Sequence, residues 1–315
     1  MTSTAMGRPF RFGVSIWGAA TRKEWRKKSK LAESAGFDTL LTADHLVDGM
    51  LAPLTSLVVA AEATSRIRVG TLVLNNDFRH PVVLAREAAT VDLLTDGRLE
   101  LGLGAGHMKF EYDGAGLSYD PPGTRVARLG EAAEIIRLLW DGRRLDFSGD
   151  HYKLEGVRCF PVPSQKPLPL LIGGNGRRVL TTAARCADIV SFTGFSQVEG
   201  TRDVNPDHFT RDGLETQIGW VRTAAGDRFD HLELSTLVQG VTLTDDRRLT
   251  AQALQPLLPS LSVDDILASP YGLIGTADEI ADQLRQQRDQ LGVSYITVFE
   301  KDVDAMSSVI DLLKE

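Results

Sequence analysis

The chain has 315 residues, of which 43% are hydrophobic and 24% charged, a composition that excludes a disordered or fibrous protein. Its 35 Lys and Arg against 42 Asp and Glu give a net charge of −7, which disfavours a nucleic-acid partner. The two cysteines, Cys159 and Cys186, fit no disulfide or zinc pattern, and no stretch is apolar enough for a membrane. We therefore expect a cytoplasmic protein with no membrane partner.

Short apolar runs rich in Val, Ile, Leu and Thr alternate with longer segments of helical period, which is typical of repeated βα units around a parallel sheet. Eight runs are predicted as strands: Arg11–Ile16, Thr39–Thr42, Arg68–Leu74, Leu99–Gly104, Leu168–Ile172, Asp188–Thr193, Leu232–Val241 and Tyr295–Phe299. Eight such strands predict an α/β fold, a closed (β/α)8 TIM barrel with insertions in its loops, as a single domain over residues 1–315. An open doubly wound sheet ranks second, because no strand–GxGxxG–helix unit appears near the start.

The intervening segments carry ordinary helix signals, such as a first-turn proline or a glycine after the last turn. The predicted helices are Lys23–Ala35, Pro81–Leu94, Arg128–Trp140, Arg177–Ala187, Asp212–Ala225, Asp264–Ala268, Ala277–Leu291 and Val303–Leu313. Residues 145–154 alternate like a small hairpin outside the barrel. Residues 195–213 are polar and aperiodic, and we favour a substrate-facing lid there over a plain surface loop.

Active sites of this fold lie at the carboxyl ends of the strands, so the residues that follow each run are candidates. The second run leads into Asp44 and His45, and an imidazole beside a carboxylate can exchange protons near neutral pH. The alternative is that Asp44 caps the turn and His45 packs over it.

After the third run, Asn75 and Asn76 can hydrogen-bond a heterocycle. Residues 79–81 (Arg-His-Pro) are interpreted as structural, because the proline begins the next helix.

Two glycine-rich turns follow the fourth and fifth runs. Residues 102–107 (Gly-Leu-Gly-Ala-Gly-His) allow the backbone to approach a flat ligand. Residues 172–179 open a helix, where free N–H groups and Arg177 or Arg178 suit a phosphate; an ordinary βα turn with solvated arginines is the alternative. The histidine spacings predict no metal site, and no Gly-x-Ser-x-Gly elbow supports serine hydrolysis.

The order of several short motifs resembles the luciferase-like oxidoreductase family of the bacterial luciferase superfamily, and most closely its branch that depends on the deazaflavin coenzyme F420. The resemblance covers nearly the whole chain and is most specific from Phe10 to Gly106. Its motifs are Arg11-Phe-Gly-Val14, Ala35-Gly-Phe-Asp38, Ala43-Asp-His45, Arg79-His-Pro81, Asp96-Gly-Arg98 and Gly102-Leu-Gly-Ala-Gly106.

This resemblance implies a set of site residues. His45, together with His107, would handle the proton of the reaction, and Asp44 would contact the deazaflavin. A non-proline cis peptide at Leu72-Val73 would lie behind the ring, with Asn75 at the ring edge. The ribityl chain would lie along Ala105, Gly106 and His107, and the phosphate would be held by Gly173, Gly174, Asn175, Gly176 and Arg177.

One departure bears on the substrate. The sugar-phosphate dehydrogenases of this branch have a glutamate where His107 stands and use later lysines for the substrate phosphate, yet no lysine occurs between Lys166 and Lys301. We therefore expect a more apolar pocket, with Trp17 and Phe195 as candidate walls.

The resulting hypothesis is an oxidoreductase that exchanges hydride between coenzyme F420 and a small organic substrate, as a homodimer by analogy with the family. The alternatives are an FMN-dependent monooxygenase of the same fold, a flavin-binding protein without turnover, and, last, an unrelated phosphate-binding barrel enzyme.

Overall fold

Parallel strands form a closed barrel in the computed structural model, which describes residues 7–194 and 206–314. The strands of the described ranges are β1 Arg11–Ser15, β2 Thr39–Thr42, β3 Arg68–Thr71, β4 Leu74–Asn75, β5 Leu99–Gly104, β6 Leu145–Ser148, β7 Lys153–Val157, β8 Leu170–Gly173, β9 Ile189–Phe192, β10 Glu233–Leu237, β11 Gly240–Leu243, β12 Gly272–Gly275 and β13 Val293–Phe299. Barrel neighbours follow the order β3-β2-β1-β13-β10-β9-β8-β5-β4, and β3 also pairs with β5. Because β3 and β4 together occupy one position, the barrel has eight positions and is closed, which confirms the predicted fold.

Helices surround this barrel. Those within the described residues are α1 Arg22–Ser34, α2 Pro53–Ala63, α3 Pro81–Leu94, α4 Lys109–Ala115, α5 Pro122–Trp140, α6 Arg177–Cys186, α7 Arg211–Ala225, α8 Arg247–Leu254, α9 Val263–Ala268, α10 Ala277–Leu291 and α11 Val303–Lys314. Three of them, α2, α4 and α8, were not among the predicted helices. The predicted start of α5 at Arg128 was wrong, because the helix already begins at Pro122, where the proline occupies the first turn.

Two small sheets lie outside the barrel. The antiparallel pair β6–β7 confirms the predicted hairpin, although its second strand extends to Val157. The predicted single run Leu232–Val241 is instead two strands, because the chain leaves the barrel after β10 and β11 pairs with β12.

The barrel interior contains a compact apolar cluster of Leu41, Leu72, Leu171, Ile189 and Tyr295, all less than one tenth exposed. A larger cluster fills the space between strands and helices. Parallel strands are covered on both faces, which is why they appear in the sequence as continuous apolar runs.

Charged side chains close the amino end of the barrel. Glu100 pairs with Arg11 and with Arg68, whose Nε lies 2.6 Å from its carboxylate, and Arg11 also pairs with Glu233 at 2.6 Å. The Arg11 guanidinium lies 4.4 Å from the centre of the Tyr295 ring. We call these five residues the basal cluster.

Candidate active site

The candidate residues meet at the carboxyl end of the barrel because each follows a parallel strand. Asp44 and His45 follow β2, residues 105–107 follow β5, and residues 174–177 follow β8. The structure therefore brings together the side chains that the sequence analysis placed at strand ends.

Asp44 is buried and fully engaged by protein donors. Its Oδ2 accepts hydrogen bonds from Arg79 Nη1 at 2.5 Å and from the Asn75 backbone N–H at 3.1 Å, while Oδ1 accepts from Arg79 Nη2 at 3.1 Å. The interpretation of Arg79 as merely structural missed this bidentate pair. Asp44 thus joins the end of β2 to the turn after β4, which fixes the start of the His45 loop.

His45 contacts a buried carboxylate that the sequence analysis did not single out. Its Nδ1 lies 3.1 and 3.3 Å from the two carboxylate oxygens of Glu111 on α4. The backbone N–H of Leu46 donates to Glu111 Oε1 at 2.8 Å. Glu111 is 3% exposed, so one buried side chain holds both the ring and the loop of His45.

His107 lies beside His45, with ring centroids 5.6 Å apart and an edge-to-face arrangement. The residue is exposed to solvent, although protein atoms surround much of its ring. This partial burial lowers the pKa of His107, and the nearby positive charges of His45 and Arg125 lower it further, against the opposing effect of Glu111. The neutral ring is therefore favoured.

The segment before His107 is held from below by Arg125, which is 4% exposed. Its guanidinium donates to the carbonyl oxygens of Ala105, at 3.0 Å, and Gly106. Tyr119 donates from its hydroxyl to the His107 carbonyl at 3.0 Å. These bonds fix the backbone along which the resemblance places a ribityl chain.

Asn75 belongs to a buried hydrogen-bond network. The Tyr112 hydroxyl lies 3.0 Å from Asn75 Oδ1 and 3.0 Å from Asp77 Oδ2, and Arg128 binds Asp77 through two nitrogens. Burial raises the pKa of Tyr112 to about 12, so its hydroxyl keeps its proton and can donate. A Cβ at Gly106 would lie 2.0 Å from that hydroxyl, so this position requires glycine.

Val73 forms an apolar floor between two glycines. The peptide bond Leu72–Val73 is cis, as the resemblance implies. A Cβ at Gly104 would lie 2.5 Å from Val73 Cγ2, and one at Gly173 would lie 3.2 Å from Val73 Cγ1. Because Gly104 and Gly173 have no side chain, nothing projects beside the partly exposed side chain of Val73 at these two positions.

The turn after β8 leads into helix α6, whose amino end has no side-chain cap. At Gly176, the N-cap of α6, no side chain caps the first N–H groups, and a Cβ there would meet no atom within 4 Å. Arg177 is exposed beside this end. The side chain of Asn175 is bonded to Thr193, with Nδ2 2.6 Å from Thr193 Oγ1 and Oδ1 accepting the Thr193 N–H at 3.1 Å.

Trp17 is 44% exposed and packs edge-to-face against Phe299, with centroids 5.7 Å apart. Trp17 follows β1 and Phe299 ends the neighbouring strand β13, so the two rings form an apolar wall at the mouth. The other predicted wall residue, Phe195, lies outside the described residues.

Sequence reasoning missed Glu111, Arg79 and Arg125 as site residues. The sequence held only a weak signal for Glu111. It stands four residues after His107, between two aromatic residues, and this spacing also fits an ordinary amphipathic helix.

Over residues 7–194 and 206–314, no group of three His, Cys, Asp or Glu side chains is arranged to hold a metal ion. Within the same ranges, no helix is long and apolar enough to cross a membrane.

The closed parallel barrel, with ionisable side chains at its carboxyl end, places this protein in the class of (β/α)8 barrel proteins. The family model described as luciferase-like monooxygenase matches residues 9–208, and the chain belongs to this family.

The family is described as a monooxygenase, whereas the curated relatives are named as dehydrogenases. The F420-dependent glucose-6-phosphate dehydrogenase of Amycolatopsis mediterranei is 36% identical over 164 residues, which cover 50% of this chain and 49% of that protein. The protein of the same name from Nakamurella multipartita is 34% identical over 230 residues, or 70% of this chain and 64% of the relative. The matches thus span about half to two thirds of the relatives' length.

Solved structures share the fold at low sequence identity. The coenzyme F420 dependent tetrahydromethanopterin reductase from Methanopyrus kandleri matches with a TM-score of 0.74 at 17% identity, over 97% of this chain and all of that chain. An F420-dependent secondary alcohol dehydrogenase, solved with an F420-acetone adduct, has a TM-score of 0.76 at 18% identity, over 98% of this chain and 100% of that chain.

Proposed function

We propose that the protein transfers a hydride between coenzyme F420 and a small organic substrate. The observation that carries this proposal is the presence at one barrel mouth of an apolar floor, Val73 between Gly104 and Gly173, and of the His45–His107 pair. A planar ring needs such a floor, and a hydride transfer needs a group that takes or gives the accompanying proton. The names of the curated relatives support F420 as the coenzyme.

The described residues fit this coenzyme. Val73 and the glycines beside it would support the ring, and Asn75 would face its edge. Backbone N–H groups at the uncapped start of α6 would bind the phosphate, and Arg177 would add a charge-assisted hydrogen bond. Asp44 is held by Arg79, so in this proposal it orients the His45 loop as well as lying near the ring.

Bound there, the deazaflavin supplies a carbon that accepts or donates hydride. The chain's own part is to position the substrate and to move one proton. His45, with a ring one fifth exposed, takes this proton from the substrate or returns it, and His107 contributes as a neutral neighbour. The wall of Trp17 and Phe299 would hold the apolar part of the substrate.

An FMN-dependent monooxygenase is the second candidate, because the matching family is described by that activity. In both candidates the cofactor would occupy the same floor and phosphate site. The measurement that separates them is a fluorescence titration of the cofactor-free protein with F420 and, separately, with FMN. Tight binding of F420 with weak binding of FMN supports the proposal; the reverse supports the monooxygenase, and no binding of either overturns both.

The phosphate assignment is tested in the same titration. Arg177→Ser removes a charge-assisted hydrogen bond and is expected to weaken F420 binding by about tenfold or more. Arg185→Ser, which changes an exposed arginine in the last turn of the same helix, is the matched control and should leave the Kd unchanged. Equal effects of the two substitutions would contradict a phosphate site at the start of α6.

We also propose a homodimer in the cytoplasm. The exposed apolar side chains Val83 and Leu94 on α3 and Leu138 on α5 support an interface, being 42%, 55% and 37% exposed. Light scattering after size-exclusion chromatography tests the oligomeric state.

A further inference from the structure

Glu111 is placed to control the protonation of His45. It is buried on α4, 66 residues after His45 in the chain, yet both of its oxygens lie within 3.3 Å of His45 Nδ1. Its Oε1 also accepts the Leu46 N–H at 2.8 Å, so the carboxylate is anchored independently of the ring. The carboxylate therefore presents a fixed acceptor to one defined nitrogen of the imidazole.

This geometry determines which ring nitrogen carries the proton. A carboxylate only accepts hydrogen bonds, so the hydrogen between Glu111 and His45 belongs to Nδ1. A neutral imidazole has one N–H, and the second nitrogen is then an acceptor. Nε2 lies on the opposite side of the ring from Nδ1 and thus faces away from Glu111.

We propose that Glu111 is a positioning residue that holds His45 as its Nδ1–H tautomer, so that Nε2 exchanges the proton with the substrate. This inference deepens the proposed function and rests on it for the identity of the reaction. In the oxidising direction, Nε2 would take the substrate O–H proton, and a bound deazaflavin would supply the acceptor for the hydride that the substrate carbon gives up. In the reducing direction, both return, so one proton and one electron pair balance in each case.

The charged surroundings of His45 agree with this arrangement. The titratable and charged groups around the pair are Glu111 from α4, His107 after β5 and Arg125 from α5. Burial and the charge of His45 lower the pKa of His107, which favours the neutral form of that ring. His45 is the ring whose Nδ1 contacts the Glu111 carboxylate.

The test is a nitrogen NMR measurement on cofactor-free protein labelled with ¹⁵N-histidine. The His45 signals are assigned by their loss in His45→Gln. Wild type is expected to show the protonated Nδ1 at neutral pH. Glu111→Gln keeps an oxygen for the Leu46 N–H and presents an amide NH2 to Nδ1, so the ring proton is expected to move to Nε2.

Asp92→Asn is the matched control. Asp92 is an equally buried carboxylate that accepts backbone N–H groups from Ser164 and Gln165 at 2.7 and 3.0 Å, away from the mouth. It should leave the His45 signals unchanged. A wild-type Nε2–H tautomer would overturn the inference without any variant, and so would an unchanged tautomer in folded Glu111→Gln.

Kinetics give the second readout. Glu111→Gln is expected to lower kcat by about 10²–10⁴-fold with little change in KM, because the misplaced proton blocks proton transfer in the reaction step only. The pH profile of kcat/KM should lose its dependence on His45. Tight F420 binding with the wrong tautomer would overturn this inference alone, whereas the expected tautomer without coenzyme binding would overturn only the proposed function.

Discussion

The two ends of the barrel use equally buried carboxylates with different partners. At the amino end, Glu100 has a side chain 2% exposed and pairs with the guanidinium groups of Arg11 and Arg68. At the carboxyl end, Glu111 is also 2% exposed in its side chain, but its partner is the imidazole of His45. A guanidinium stays charged at any physiological pH, whereas an imidazole changes its charge near neutrality.

This difference distinguishes charged pairs that stabilise the fold from a pair that is placed to take part in proton transfer. The guanidinium groups of Arg11 and Arg68 in the basal cluster keep their charge throughout the working pH range, so we expect these pairs to act on stability and not on proton transfer. The Glu111–His45 pair contains an imidazole, and it lies at the end of the barrel where strand ends and loops form the mouth. The Asp44–Arg79 pair lies between these two types, because its two hydrogen bonds hold the loop that carries His45.

The largest effect is expected at the carboxyl end, for the substitution His45→Ala. Loss of the proton-exchanging group should lower kcat by about 10²–10⁴-fold, while the Kd for F420 stays nearly constant. The measurement is steady-state turnover together with the coenzyme titration. His231→Ala, an exposed histidine before β10, is the control. Unchanged turnover in His45→Ala would contradict its catalytic role and with it the contrast between the two ends.

At the amino end, Glu100→Ala should lower the free energy of unfolding by about 3–5 kcal/mol, because it removes the buried carboxylate that pairs with the two partly buried arginines Arg11 and Arg68. Urea denaturation measures this loss. Asp264→Ala breaks an exposed pair with Arg248 and should cost only about 0–1 kcal/mol. The folded Glu100→Ala protein should keep its kcat; a large kcat loss with normal stability would show that the basal cluster is not purely structural.

The barrel was predictable from the sequence because its strands are covered on both faces and stand out as apolar runs. All barrel strands fall on or beside the predicted runs. The missed helix α2 has buried residues on several faces, including Ser56, Leu57, Ala60 and Ala61, so it shows no clear amphipathic period. The seven-residue helix α4 is too short for a period to be recognised.

The site was predictable only in part. Asp44 and His45 were found because they directly follow a strand, which is a local signal. Their partners were not, because Arg79 lies 35 residues after Asp44 and Glu111 lies 66 residues after His45. Such contacts are created by barrel closure, which brings the ends of separate βα units together.

The smallest expected effect concerns how the free energy of unfolding depends on pH. Glu233 at the amino end and His107 at the carboxyl end should contribute to it with opposite signs. Burial, with the negative charge of Glu100, raises the pKa of Glu233 above its usual 4.5 despite the opposing effect of Arg11. The folded state then holds this proton more tightly than the unfolded state, so stability from Glu233 falls as the pH rises above 4.5. At the mouth, the lowered pKa of His107 means that the unfolded state binds a proton first, so stability falls as the pH drops below 6.5.

Unfolding free energies of wild type, Glu233→Gln and His107→Gln over this pH range isolate the two contributions by subtraction. The wild-type minus Glu233→Gln difference should decrease with rising pH, and the wild-type minus His107→Gln difference should increase. The His107 slope should be the shallower, because its ring remains accessible to solvent and its proton is partly hydrated in the folded state. Slopes of the same sign would show that both ends respond to net charge alone, and that local burial does not distinguish them.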